Sequence, residues 1–198
     1  MNASVESSTR ERIVAAAVEL FAEKGYDATS VNEVVQRASV AKGALYHHFL
    51  AKDDLLFEVY RGLIARQLDG MNRILSSGLN YDETLRELIS DLVETTAEHA
   101  PQAKVFARES HRLGDEKQSR IRGARRQYHD VVTDLIRTAQ GSGEFRAVAS
   151  PEMITFTIFG VINELPNWYR PAGRKTPAVI AGELSALVLA ALEPKETR

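Results

Sequence analysis

The chain has 198 residues, 44% hydrophobic and 26% charged, with a formal net charge of −2 and no cysteine. A chain of this size buries one good core or two small ones, and the missing cysteine excludes disulfides, thiol nucleophiles and thiolate metal sites while fitting a reducing compartment. The near-neutral charge removes any bulk attraction to nucleic acid, no apolar run reaches the roughly 18 residues that span a bilayer, and the polar, mixed-charge start over residues 1–12 does not read as a signal peptide.

Strand patterning is nearly absent and helical spacing recurs throughout, which predicts an all-α chain of about nine helices. Ile13, Ala17, Leu20 and Phe21 share one face of a first helix. It stops at Lys24-Gly25, a cationic last turn followed by a glycine cap. Ser30-Val31-Asn32-Glu33 reads as a capping box opening a short second helix that runs to Arg37 or Ala38. Ser39-Val40 is a tight turn, and a third helix over 41–48 follows at once. Lys52-Asp53-Asp54 opens a long fourth helix over 53–76, its acids in the first turn where the dipole favours them. Further helices are expected over 82–98, 101–111, 115–140, 151–168 and 176–192. Pro101 and Pro151 suit first turns, Gly141-Ser142-Gly143 is a break, and 170–177 is a loop. The bend near Phe49 to Ala51 is the candidate boundary, dividing 1–52 from 53–198.

Adjacent His47 and His48 point about 100° apart on a helix and have no carboxylate three or four residues away, so no metal site is expected. Two short helices joined by a tight turn after a longer one form a helix-turn-helix. The second helix of such a pair enters the major groove, its N-terminal residues at the base edges. Lys42 and Ala44 lie at that end, and Gly43 lets the backbone approach closely. Tyr46 and His47 carry donors that suit phosphate. Thr29, Ser30 and Lys52 lie at two other helix N-termini, where free N–H groups favour phosphate. Six cations meet six acids in the first 52 residues, so this reading rests on where the cations sit.

Residues 9–60, "TRERIVAAAVELFAEKGYDATSVNEVVQRASVAKGALYHHFLAKDDLLFEVY", resemble the N-terminal domain of the TetR/AcrR family of bacterial repressors. Phe21, Gly25, Thr29, Val31, Ala38, Val40, Gly43, Leu45, Tyr46, His48, Phe49 and Lys52 carry the resemblance, in the family's order and spacing. It implies a homodimeric, all-helical repressor: a helix-turn-helix DNA-binding domain followed by a helical domain that binds an effector and dimerises. It also implies that Lys42, Gly43, Ala44, Tyr46, His47 and Lys52 face DNA, with Thr29 at a phosphate and His48 turned inward. Three positions depart from the pattern. Ser39 replaces a turn glycine and is expected to carry a positive φ at some cost. Ala41 and Ala51 replace capping residues, each loss worth about 1 kcal/mol, the second offset by Asp53 and Asp54.

The stretches 151–171 and 178–193 are apolar around much of their circumference, which predicts burial against several neighbours. The alternatives are an ordinary core and a two-fold, four-helix interface; the resemblance favours the interface, with Phe159, Ile162, Leu184, Leu187 and Val188. A helix that begins to break at Pro166 places Trp168 beside Arg170 and Arg174, and Lys117, Arg120, Arg122, Arg125 and Arg126 form a run without an acid between 117 and 129. Glu109-x-His111-Arg112-Leu113 followed by Trp168-Tyr169-Arg170-Pro171-x-Gly173 resembles regulators of fatty-acid and steroid catabolism that answer to acyl-CoA thioesters. The chemistry is coherent: an apolar tunnel for the acyl chain, tryptophan for adenine and arginines for phosphates. Phe106, His111, Arg122, Arg126, Phe156, Trp168 and Arg170 are the expected ligand residues. The plainer alternative makes Trp168 core and the arginines a solvated face.

These features predict a cytoplasmic repressor, with no cofactor and no membrane partner, that a CoA thioester or similar amphipathic metabolite releases from a palindromic double-stranded operator. The alternatives are a repressor answering a different hydrophobic molecule, and an enzyme using Glu109, His111 and Asp115 in a helical cavity. Glu109 and His111 face different sides of a helix, poor geometry for catalysis, so no enzymatic activity is expected.

Overall fold

The computed structural model describes residues 2–194, with side chains from Ser8 onward. Among the described residues it holds nine α-helices and no strand, as the periodicity predicts: α1 (Asn2–Lys24), α2 (Val31–Ala38), α3 (Lys42–His48), α4 (Lys52–Leu75), α5 (Tyr81–Glu98), α6 (Ala100–Glu109), α7 (Asp115–Ser142), α8 (Pro151–Trp168) and α9 (Pro177–Leu192), with a 3₁₀ turn at Ser110–Arg112.

The helix ends follow local chemistry. α1 stops at Gly25, whose φ of 88° suits a residue without Cβ. The capping box at α2 is complete: Ser30 Oγ accepts from the Glu33 amide, and Glu33 accepts from the Ser30 amide at 2.8 Å. A second box, Asn80 with Glu83, opens α5. Asp54 replaces the cap that Ala51 lacks, accepting from the Leu50 and Ala51 amides, each at 2.9 Å. Ser39 takes the left-handed conformation (φ 53°, ψ 49°) that glycine would take without strain. α8 does not break at Pro166. It continues to Trp168, because proline removes one amide donor near a helix end that Tyr169 then closes onto Leu165 O at 2.8 Å.

Ala41 occupies the N-cap of α3 in the extended conformation (φ −71°, ψ 147°) without a side-chain capping bond. A serine there needs no backbone change. Ala41→Ser is therefore expected to raise stability by roughly 0.5–1 kcal/mol, read as a higher denaturant midpoint at unchanged slope. An unchanged midpoint would mean that the start of α3 contributes nothing to global stability.

The chain divides into two compact units: residues up to Leu63 with Ala100–Ile121, and Ile64–His99 with Arg122 onward. This division falls elsewhere than the bend at 49–51, because α6 and the start of α7 pack into the first unit. There α1 packs on α2, α3 and α6, and Ile13, Phe21, Val34, Leu45, Leu55, Leu56 and Tyr60 form the core. The Tyr60 hydroxyl donates to Val105 O at 2.9 Å, and the Phe106 ring meets Tyr60 edge-on at 4.6 Å. Lys117, at the start of α7, lies 2.6 Å from both Asp53 and Asp54.

In the second unit α5 packs on α8 and α9. Leu85, Ile89, Tyr128, Ile136, Phe145, Ile158 and Leu165 belong to one continuous core. Phe159, Ile162 and Leu184, expected at a subunit interface, are buried in this core. Phe159 is held between the rings of Tyr128 and His129. Val188 is half-buried. Leu187 alone of the five expected residues is exposed, and Met153, Phe156, Val161 and Val179 join it as exposed apolar side chains of α8 and α9.

Candidate nucleic-acid interface and ligand cavity

Leu45 and Phe49 anchor α3 in the core of the first unit, which leaves Lys42, Gly43, Tyr46 and His47 outward and Ala44 half-buried. No atom lies within 4 Å of where a Gly43 Cβ would stand. The fold itself does not require glycine there. His48 is half-buried between the rings of His47 and Phe49.

Two residues assigned to phosphate are used internally. Thr29 is 1% exposed and its hydroxyl donates to Gly25 O at 2.8 Å, so its side chain cannot reach a phosphate. Lys52 is half-buried over the Tyr26 ring and donates to Tyr26 O at 2.9 Å and Thr29 O at 3.0 Å. Two of its three ammonium donors thus staple the start of α4 to the α1–α2 loop. Ser30 is exposed, its hydroxyl bonded to Glu33.

The electrostatics of this face come from pairing. Arg37 bonds Glu19 and Glu23, Lys24 bonds Glu33, and Arg112 lies 2.5 Å from Asp27. Arg37 holds the Glu23 carboxyl below its usual pKa, and Lys24, with the Ser30 amide, holds that of Glu33 at about 2. Three cations are thereby paired with four acids. Lys42 stands exposed at the start of α3 without an ion-pair partner among the described residues, and a unit of balanced composition presents its positive charge there.

The second unit contains a small, partly open cavity of about 40 Å³. Four helices contribute one face each, at helical spacing: Ile64, Gln67 and Leu68 from α4; Leu92 and Thr96 from α5; Ala124, Arg125, Tyr128 and His129 from α7; Phe159, Ile162 and Asn163 from α8. No aspartate or glutamate is among these lining residues. Gln67 donates to Thr96 Oγ1 at 3.3 Å. Burial pushes the Arg125 pKa down, yet a guanidinium remains charged at neutral pH. Burial first, and the Arg125 charge second, lower His129, so its imidazole is neutral at pH 7. Its ring stacks on Phe159 at 3.8 Å. The cavity is a small chamber of mixed lining, in which Ile64, Leu68, Leu92, Phe159 and Ile162 meet one permanent positive charge and several neutral polar groups.

None of the expected ligand residues lines this cavity. Phe106 lies in the other unit against Tyr60. His111, Arg122, Arg126, Phe156, Trp168 and Arg170 are exposed, with the Arg170 guanidinium on the Asn167 and Tyr169 carbonyls at 3.2 and 2.9 Å. The cationic run disperses around α7. Lys117 turns to Asp53 and Asp54, Arg120 covers the Phe57 ring, and Arg125 enters the cavity. The missed signal was the i, i+4 pair Arg125 and His129. Glu109, His111 and Asp115 form no catalytic arrangement: Glu109 is buried and accepts from the Tyr26 amide, whereas His111 and Asp115 are exposed. Among the described residues no cluster could hold a metal ion, and no helix is long and apolar enough to cross a membrane.

The family model described as "Bacterial regulatory proteins, tetR family" matches residues 13–59, and "Tetracyclin repressor-like, C-terminal domain" matches 78–192. The HTH-type transcriptional repressor KstR2 of Rhodococcus jostii is 26% identical over 187 residues, 94% of this chain and 92% of that protein. The fatty acid metabolism regulator protein of Bacillus subtilis is 26% identical over 153 residues, 77% of this chain and 79% of that protein. The solved structure of the ketosteroid transcriptional regulator KstR2 of Mycobacterium tuberculosis has a TM-score of 0.85 at 26% identity, covering 98% of this chain and 97% of that one. By name, these relatives are regulators.

Proposed function

This chain belongs to the TetR family of bacterial regulatory proteins, and we propose that it is a homodimeric, cytoplasmic repressor released from a palindromic operator by a CoA thioester of a fatty or ring-derived acid. It is a ligand-responsive DNA-binding transcriptional repressor. Lys42, Gly43, Ala44, Tyr46 and His47 meet DNA, with Lys42 nearest the base edges. Ser30 and Lys52 shape the surface around them. A two-fold dimer presents its recognition helices about 34–36 Å apart, one turn of the duplex. The exposed apolar residues of α8 and α9 form the dimer face.

The cavity is the observation that carries the effector reading. It joins apolar side chains to a permanent cation between four helices, and the two relatives named for ketosteroid regulation and fatty acid metabolism support an effector of that kind. The helices around the chamber move apart to admit the acyl part, and Arg125 donates to the thioester carbonyl. The nucleotide part extends outside it to exposed cations such as Arg126 and Arg170, and to Trp168, where phosphates are met without burying unpaired charge. Coupling runs through α4. Its start is stapled by Lys52 to the α1–α2 loop, and Ile64, Gln67 and Leu68 on the same helix line the chamber. Release requires an effector that binds the two states of the protein with different affinity.

The test is calorimetric titration of a thioester panel with matched free acids, alongside release of a selected operator. A bound thioester that lowers operator affinity, with a far weaker free acid, supports the reading. Equal affinity of acid and thioester would reassign the effector to free acids with Arg125 as carboxylate partner. No binding by either would sink both versions.

A further inference from the structure

The turn between α2 and α3 is held by a side chain that the DNA-binding reading does not use. Arg12, beside Ile13 on α1, donates from one guanidinium nitrogen to two carbonyls, Ala38 O at 2.6 Å and Ser39 O at 2.7 Å. Both lengths are those of charge-assisted bonds. These carbonyls lie at the C-terminal end of α2, where a helix leaves acceptors unsatisfied and its dipole favours a cation. Ser39 is the only non-glycine residue among the described residues at positive φ, and its Cβ strains the chain there. Two residues later α3 starts at Ala41 without a capping bond. The connection to the recognition helix thus contains a strained residue and an uncapped start, and Arg12 reaches it from a different helix. Arg10 bonds Glu58 of α4 at 2.6 Å instead.

We infer that Arg12 is a positioning residue, which clasps the Ser39 turn and thereby fixes the direction of α3 for specific operator binding. The inference rests on the helix-turn-helix reading above. It differs from the obvious role of an exposed arginine on this face, a direct phosphate contact. A phosphate ligand affects all duplexes alike. A clasp affects the duplex that needs α3 correctly aimed.

The experiment uses the full chain and an operator selected from a random duplex pool. Arg12→Ala, Ser39→Gly and the double variant are titrated with operator and with unrelated duplex across a salt series. Arg12→Ala is expected to weaken operator binding about tenfold or more, the scale of lost charge-assisted bonds. Affinity for unrelated duplex and the salt slope should hold, since no phosphate contact is lost. Ser39→Gly removes the strain that the clasp opposes, so the double variant should recover operator affinity to within about threefold of Ser39→Gly alone. Equal loss on both duplexes, a salt slope shallower by about 0.9 and no rescue by glycine would make Arg12 a phosphate ligand and overturn the inference. Unchanged operator affinity in Arg12→Ala would overturn it as well. If that variant does not fold, Arg12→Lys, whose ammonium can reach one carbonyl, is judged by the same criteria. An unmodified chain that selects no operator would count against the proposed function instead.

Discussion

Leu187→Glu is expected to give a folded monomer that no longer holds its operator. Leu187 is 73% exposed in the single chain, so a charge there costs the monomer little, within about 0.5 kcal/mol. In a dimer built on the outer faces of α8 and α9 the same charge would be buried twice, once from each subunit. Two unpaired, desolvated charges are enough to undo an interface of ordinary size. Linked half-site binding exceeds single-site binding by about 10²–10⁴-fold, and the variant should lose operator affinity on that scale. Phe156→Glu should behave alike, since Phe156 is also largely exposed. Phe159→Ala is the control. Phe159 is 7% exposed and held between Tyr128 and His129, so its loss should cost about 3–5 kcal/mol of stability and read as unfolding rather than dissociation. Sedimentation at micromolar concentration separates the outcomes. A Leu187→Glu protein that remains a dimer with full operator affinity would remove α9 from the interface.

The contrast between Leu184 and Leu187 shows where sequence reasoning stops. α9 reads Pro-Ala-Val-Ile-Ala-Gly-Glu-Leu-Ser-Ala-Leu-Val-Leu-Ala-Ala-Leu, and a helix apolar on nearly every side has no polar face to orient it. Three residues separate a core leucine from an exposed one, and periodicity treats them alike. The first unit was far more legible, because its signals are local. Ser30 with Glu33 and Asp54 each satisfy a backbone group within a few residues, and Gly25 supplies the positive φ that ends α1. The strain at Ser39 was readable for the same reason. Thr29 was misread because its partners, Leu20 O and Gly25 O, are set by how the loop folds back on α1. The cavity was harder still. It needs four faces from four helices to converge, and spacing gives each face without saying which faces meet. Five cations lie within ten residues of α7 (117–126), and only the fold turns Arg125 inward.

Arg125→Met should separate effector response from DNA binding. Methionine keeps an unbranched apolar chain, shorter than arginine by about two atoms, and removes the charge and the donors. Burial disfavours the charged form of Arg125 in the folded protein, and the melting temperature of the variant is measured alongside to show that it folds. Arg125 lies in the second unit, whereas Lys42, Gly43, Tyr46 and His47 lie in the first, so operator affinity without effector should hold. Effector binding should not. A bond from a charged donor is worth about 1.5–3 kcal/mol, or roughly 10- to 150-fold in affinity. Because effector and operator oppose each other through one coupling free energy, the concentration of thioester needed for release should rise by the same factor. A cavity that recognises only apolar bulk would behave differently: methionine would preserve or improve binding, and release would occur at the original concentration. Calorimetry of the thioester and an operator-release titration on the same variant distinguish the two. Unchanged affinity with unchanged release would show that the guanidinium plays no part in recognition.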